Sequence, residues 1–340
     1  MRKELWYLGL PRAKASAERA VYLEKHGWDG LMFPDTQCIA NDAFIEMAMC
    51  VAATKTLKFS TGVTNPVTRD TSVLAAMLST LQEESNGRIR LGIGRGDSAV
   101  AHIGRKGASL KEMRESLTQL QAYLEGNATN RNGVESRLLW RKDRQMEKVP
   151  VDVAGTGPKM IEMAALLGDG ICLAVGGNPQ RISAKVQLVE EILDRLGRPR
   201  EDFTISLLMS GTVNHDIQLA RDNVRGVTGT IGRFSGMSPA AAADLPEKDR
   251  DVVLRIAHEY CLKDHALANT PHALNIPDDF LDREAIVGSP EVALARLEEI
   301  YSLGVDRVWL TCGSFDSNPE TIQESIALIS TDVLPKLRAC

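Results

Sequence analysis

The segment VPVDVAGTGPKMIEMAALLGDGICLAV, Val149 to Val175, carries a legible chemical signal. It reads as a buried strand (Val151 to Ala154), a glycine turn, a helix from Pro158 to about Leu167, and a second strand. Pro158 suits the first helical position, where a missing N–H leaves no bond unmade. Gly155 and Gly157 have no Cβ, so their backbone can bend sharply and approach a ligand closely. Free N–H groups at the helix start point out of the turn, and the helix dipole favours an anion there. Lys159 adds a full positive charge beside them. Two readings follow: a phosphate seat at the carboxyl end of a strand, or an ordinary strand–helix turn that needed glycine.

Three other strand ends carry polar residues. LGIGRGD has Gly92, Gly94 and Gly96, then Asp97. A dinucleotide fingerprint wants G-x-G-x-x-G, and Asp97 stands where its third glycine belongs. A nicotinamide dinucleotide is therefore not indicated. The glycines instead suit close approach to a flat ligand, with Asp97 as a polar contact. GLMFPDTQ ends a strand with Asp35 and Thr36, unless Asp35 merely starts a turn. STGVTNPVTR ends another with Thr64 and Asn65, and Arg69 lies just beyond. Polar groups at successive strand ends converge on one mouth, which argues better than any one of them alone.

The elements that must hold these residues alternate regularly. Short apolar strands are predicted at Leu5–Leu10, Gly30–Phe33, Lys58–Gly62, Arg88–Ile93, Val151–Ala154, Gly170–Ala174, Phe203–Leu208 and Arg307–Thr311. Between them, apolar residues recur at helical spacing over Ala13–His26, Ala43–Thr54, Ser72–Glu84, Leu110–Leu124, Pro179–Leu196 and Pro290–Leu303. Eight strands alternating with helices predict a parallel sheet closed into a (β/α)8 barrel within one domain spanning 1–340. Residues 213–286, after the seventh strand, form a helical insertion with one long helix near Asp249–Ala268. On the carboxyl face of a barrel it would be a lid or substrate wall, or alternatively an oligomer contact.

Composition excludes several classes. The 340 residues are 44% hydrophobic and 25% charged, ordinary for a soluble globular protein. A net charge of −5 argues against broad nucleic-acid binding. No apolar run is long enough to span a membrane, and MRKELWYLGLPR is too weakly apolar for a signal peptide. Cys38, Cys50, Cys172, Cys261, Cys312 and Cys340 lie far apart, so neither a disulfide frame nor a zinc knuckle is expected, and a reducing cytoplasm is the simplest home. His258, His265 and His272 recur at sevens, two turns apart instead of the four residues that seat one metal, so no metal site is expected. His102 follows the fourth strand and is a candidate substrate contact. A metal-dependent barrel hydrolase would want His-x-His after the first strand; this chain has Leu8-Gly9-Leu10.

Four stretches together, FSTGVTNPVTR, RIRLGIGRGDSA, VAGTGPKMIEMAALLGDGI and AIVGSPEVALARLEEIYSLGVDRVWL, resemble the bacterial luciferase-like superfamily of flavin- and deazaflavin-dependent oxidoreductases. The branch they most resemble is methylenetetrahydromethanopterin reductase and its relatives. The resemblance runs from about Trp6 to Leu310 and is weakest in Gly126–Lys148 and Val213–Asp282. It implies a (β/α)8 barrel with insertions and a cis peptide at Gly62–Val63 in a bulge backing the cofactor's central ring. Thr64 and Asn65 would flank that ring. Asp35 and Asp97 match acidic positions near it, orienting the cofactor or relaying a proton. Gly155, Thr156, Gly157, Pro158 and Lys159 match the loop that helps hold the cofactor's phosphate, and Gly176 and Gly177 would complete that side.

One departure matters. Several deazaflavin dehydrogenases of the family carry histidine after the rim aspartate, where this chain has Thr36. A threonine hydroxyl cannot act as a base, and no substitute histidine is evident on a strand end. The reading that follows is hydride transfer between reduced deazaflavin (coenzyme F420) and a small organic substrate. The alternatives are an FMN-dependent monooxygenase fed by a separate reductase, and a flavin-binding protein without turnover. A homodimer is expected from the superfamily.

Overall fold

The computed structural model describes residues 3–141, 144–237 and 239–339; Cys340 lies outside them. Eight strands form the barrel: β1 (Glu4–Leu8), β2 (Gly30–Phe33), β3 (Lys58–Thr61), β4 (Leu91–Ile93), β5 (Val151–Gly155), β6 (Gly170–Leu173), β7 (Thr204–Val213) and β8 (Arg307–Thr311). They run parallel in the order β3-β2-β1-β8-β7-β6-β5-β4. Each is flanked by turn residues, and the apolar faces of the intervening helices cover it, as a parallel sheet requires. All eight predicted strands are present. β7 runs five residues beyond its expected end, through Val213.

The sheet closes on itself between β3 and β4 through the bridges Phe59–Ile89 and Thr64–Ile93. Between those bridges the ladder is interrupted by a bulge whose Gly62–Val63 peptide is cis. Thr61 fills the gap: its hydroxyl donates to the Gly92 carbonyl at 2.6 Å and accepts the Gly92 N–H at 3.2 Å. A Cβ on Gly92 would sit 2.2 Å from the Thr61 carbonyl oxygen, so the two strands approach this closely only over glycine.

Below the bulge the barrel is solid. Trp6, Leu8, Met32, Cys172 and Trp309 form an interior layer. The amino end is closed by a buried charge network. Arg307 donates to Glu4 at 2.7 Å and to Asp152 at 3.1 Å, and Arg90 grips Asp152 at 2.6 Å. Burial alone raises the Glu4 carboxyl, but Arg307 and Lys58 outweigh it and hold it at about 2. The open end is therefore the carboxyl one.

Residues 213–286 differ from expectation in detail. A long helix, Ile217–Gly236, follows β7. It carries Gly226, Gly229, Gly232 and Gly236, whose low helix propensity hides its periodicity. Packing explains two of them: a Cβ on Gly226 would lie 2.4 Å from the Ala266 carbonyl oxygen, and one on Gly236 would lie 2.2 Å from that of Val253. The predicted helix near Asp249–Ala268 is instead Glu247–Glu259. It stops where Tyr260 turns extended (φ −65°, ψ 121°) and its hydroxyl accepts the Ala266 N–H at 3.3 Å. A short strand, Ile286–Gly288, then pairs beside β7. In Gly126–Lys148, a hairpin (Thr129–Arg131 with Val134–Ser136) turns on Asn132-Gly133, both at positive φ. Among the described residues, no helix is long and apolar enough to cross a membrane.

Candidate active site

A cavity of about 960 Å³ opens at the carboxyl end of the barrel. Asp35, Gly62, Val63, Thr64, Asn65 and Asp97 line it, with the whole turn Gly155, Thr156, Gly157, Pro158 and Lys159. Strand direction explains the convergence: every parallel strand delivers its following loop to the same rim. Gly176 and Gly177 do not line it. A Cβ on Gly176 would fall 1.8 Å from Glu284 Oε2, and the Gly177 N–H donates to that same oxygen at 3.1 Å. These two glycines seat a buried carboxyl group of the insertion.

The turn after β5 has the geometry of an anion seat. Helix Pro158–Leu167 begins with Pro158, and the Gly157 carbonyl accepts from Met160 at 3.0 Å and Ile161 at 3.1 Å. The N–H groups of Gly157 and Lys159 have no protein acceptor among the described residues. Nor does the exposed Lys159 ammonium pair with a described carboxylate. A Cβ on Gly157 would meet nothing within 4 Å, so the turn faces open space. Arg95, Arg105 and Lys106, from the loop after β4, line the same cavity. Sequence reasoning passed over these three, although their density after LGIG was visible.

The two rim aspartates are both engaged. Asp35 is buried, accepts from the Thr64 hydroxyl at 2.5 Å, and pairs with the Arg69 guanidinium. Arg69 also donates to Asp42 at 2.9 Å and covers the Phe44 ring. Asp97 accepts from Arg233 of helix Ile217–Gly236 at 2.7 Å, tying the insertion across the mouth to the loop after β4. Asn65 is spent partly on its own loop: its Oδ1 accepts from the N–H groups of Val67 and Thr68, both at 3.0 Å.

Three buried polar atoms on this lining have no partner among the described residues: Thr36 Oγ1, Trp309 Nε1 and Thr311 Oγ1. Buried polar groups are normally hydrogen-bonded, so these three are free to meet polar atoms of a molecule in the cavity. With the glycine turns and the cationic rim, the residues fit a flat, phosphorylated ring system. Trp309 lies in the middle of β8 and Thr311 ends it; the strand-end rule that found Asp35 applies to Thr311 equally.

The insertion contributes a histidine that was not singled out for the site. His265 lines the cavity, and its Nδ1 shares a hydrogen bond of 2.9 Å with the Tyr260 hydroxyl, which in turn meets Thr230 Oγ1 at 2.8 Å. Burial, with Arg233 adding to it against the opposing charge of Asp97, pushes His265 down to about 4, so the ring is neutral at pH 7. His102, the earlier candidate, is exposed and off the cavity lining; His258 is exposed, and His272 packs 4.4 Å from the Tyr260 ring.

Comparison with known proteins finds relatives over most of the chain. The chain is 29% identical over 288 residues to a 5,10-methylenetetrahydromethanopterin reductase of Archaeoglobus fulgidus, covering 84% of each chain. It is 26% identical over 297 residues to an F420-dependent glucose-6-phosphate dehydrogenase of Amycolatopsis mediterranei, covering 84% of this chain and 81% of that one. The coenzyme F420 dependent tetrahydromethanopterin reductase of Methanopyrus kandleri shares the fold with a TM-score of 0.78 at 19% identity, covering 99% of this chain and 100% of that one. The luciferase-like monooxygenase model matches residues 4–307, and the chain belongs to that family.

Proposed function

We propose that the protein is an oxidoreductase that binds coenzyme F420 and serves hydride transfer between it and a small organic substrate. The observation that carries this reading is the meeting, on one cavity, of an anion seat at Lys159 and three unpartnered polar atoms around a glycine-lined rim. The F420-dependent relatives support the choice of deazaflavin over FMN. When bound, the deazaflavin supplies or accepts the hydride; the chain supplies orientation and a water-poor pocket.

In this reading Gly155, Thr156, Gly157, Pro158 and Lys159 hold the phosphate. Gly62, Val63, Thr64 and Asn65 back the ring, and Thr36, Trp309 and Thr311 meet its heteroatoms. Asp35 and Asp97 orient, since each is already committed to an arginine. Thr36 cannot serve as a base, and among the described residues His265 is the histidine on the cavity lining. A second copy of the chain is the partner: Ile45, Met49 and Val73 are exposed apolar side chains on neighbouring helices Ala43–Ala53 and Thr71–Ser85.

The test is a fluorescence titration, since Trp309 lines the cavity. F420 is expected to quench tryptophan emission at low concentration and FMN only weakly. Tight FMN binding with no F420 response would replace this reading with the monooxygenase one.

A further inference from the structure

The cavity is chemically divided by chain segment. Four cations on the lining have no carboxylate partner among the described residues, Arg95, Arg105, Lys106 and Lys159, and all come from the segments after β4 and β5; Arg95 and Arg105 donate to the Ala108 and Val67 carbonyls. The segment from Val227 to Ala266 brings no charged side chain to the lining among the described residues. It contributes Val227, Ile231, Phe234, Met237 and Leu262, joined by Phe315 after β8. The cation that helix Ile217–Gly236 does carry toward this region, Arg233, is bound to Asp97 at 2.7 Å and stacks 4.8 Å from the Tyr260 ring.

Among the described residues of this segment, two polar side chains interrupt the apolar wall, Thr230 and His265. Thr230 is taken up by the Tyr260 hydroxyl, 2.8 Å away. His265 spends Nδ1 on Tyr260, and its Nε2 has no protein partner among the described residues. The Tyr260 hydroxyl also accepts the Ala266 N–H, which fixes the ring's place in the wall. A phosphate or carboxylate against such a wall would lose its hydration without gaining a counter-charge, at large cost. An apolar body gains by entering it, and one polar group has one partner waiting.

We propose that this wall selects an uncharged, largely apolar substrate bearing a single hydrogen-bonding oxygen, a ketone or enone, with Thr230 donating to the Tyr260 hydroxyl, Tyr260 donating to His265 Nδ1, and the resulting Nε2–H donating to that oxygen. The inference rests on reading the glycine-lined, cationic side as the cofactor's. It separates this chain from a sugar-phosphate specificity, because the cations that a second phosphate would need are on the cofactor's side.

A matched set of probes tests it on the protein saturated with oxidised F420, which prevents turnover: carvone (an enone), limonene (its hydrocarbon counterpart) and glucose 6-phosphate, read by ligand-detected NMR. Carvone is expected to bind at least about tenfold more tightly than glucose 6-phosphate. It is also expected to exceed limonene by about two- to tenfold, the yield of one hydrogen bond. Phe234→Asp should weaken carvone by about tenfold or more while leaving the F420 quench intact, which certifies its fold. His265→Phe should erase the preference for carvone over limonene. Glucose 6-phosphate binding as tightly as carvone, or Phe234→Asp leaving carvone unchanged, overturns the apolar wall. A carvone preference that survives in His265→Phe overturns the role of His265. Failure of F420 to bind, with carvone binding retained in the free protein, overturns the cofactor reading and leaves the wall standing.

Discussion

Asp35 is 3% exposed and holds two partners, the Thr64 hydroxyl and the Arg69 guanidinium. A buried carboxylate deprived of its counter-charge is expensive, so Arg69→Met should cost about 3–5 kcal/mol of folding stability. Urea unfolding checks this, and a loss under about 1 kcal/mol would mean that water already solvates Asp35. Lys159 is the opposite case, an exposed cation with no carboxylate partner among the described residues. Lys159→Ala should leave stability nearly unchanged, because nothing native is broken. It should weaken binding of the phosphorylated cofactor by about 1–3 kcal/mol if the charged hydrogen bond is direct. Unchanged affinity in the fluorescence titration would remove Lys159 from the seat. The pair shows how a site divides between residues that hold shape and residues kept free for a ligand.

At the scale of elements, helix Asp278–Glu284 is locked to the rim after β6 by Glu284, whose carboxylate oxygen takes the Gly177 N–H. Burial raises this carboxyl to about 7, with Asp249 adding to the shift and Arg181 and Arg296 opposing it. The folded protein therefore keeps a proton that the unfolded chain releases above about 4.5. Stability falls as pH rises from that value through 7, by up to about 3 kcal/mol. Glu284→Gln should flatten that slope, seen as equal urea midpoints at pH 5 and pH 8 where the wild type drops. Identical slopes in both proteins would mean Glu284 is ionised in the fold. Elements of this kind were the least legible in the sequence. The barrel strands announce themselves because a strand buried on both faces is a continuous apolar run. So do the strand-end residues Asp35, Asn65 and Asp97, which follow such runs directly. Gly176 and Gly177 followed one too, yet their task is set by Glu284, more than a hundred residues away, and no local pattern carries that contact. Helix Ile217–Gly236 was hidden by glycines chosen for close packing against Val253 and Ala266. His265 reached the cavity only because Tyr260 ends its helix early.

The whole molecule is polarised along the barrel axis: ion pairs close the amino end, and the carboxyl end is left open to ligands. Around the outside, most helices bury their apolar stripes against the strands. Helix Ala43–Ala53 is different, since Ile45 and Met49, one turn apart, are 66% and 58% exposed on its outer side. Val73, on the adjoining helix Thr71–Ser85, is 51% exposed. Asp42 caps the first of these helices while also binding Arg69, so the apolar face is coupled to the rim that holds Asp35. A second copy related by a two-fold axis would present the same three side chains, giving a self-complementary contact. Analytical ultracentrifugation is expected to find twice the chain mass, and the double variant Ile45→Asp, Met49→Lys is expected to halve it. Because Asp42 caps the helix that carries this face and also binds Arg69, the monomeric variant should also bind cofactor more weakly. A wild type that sediments as a monomer at high micromolar concentration would refute the dimer, and a monomeric variant with full cofactor affinity would sever the link between the face and the rim.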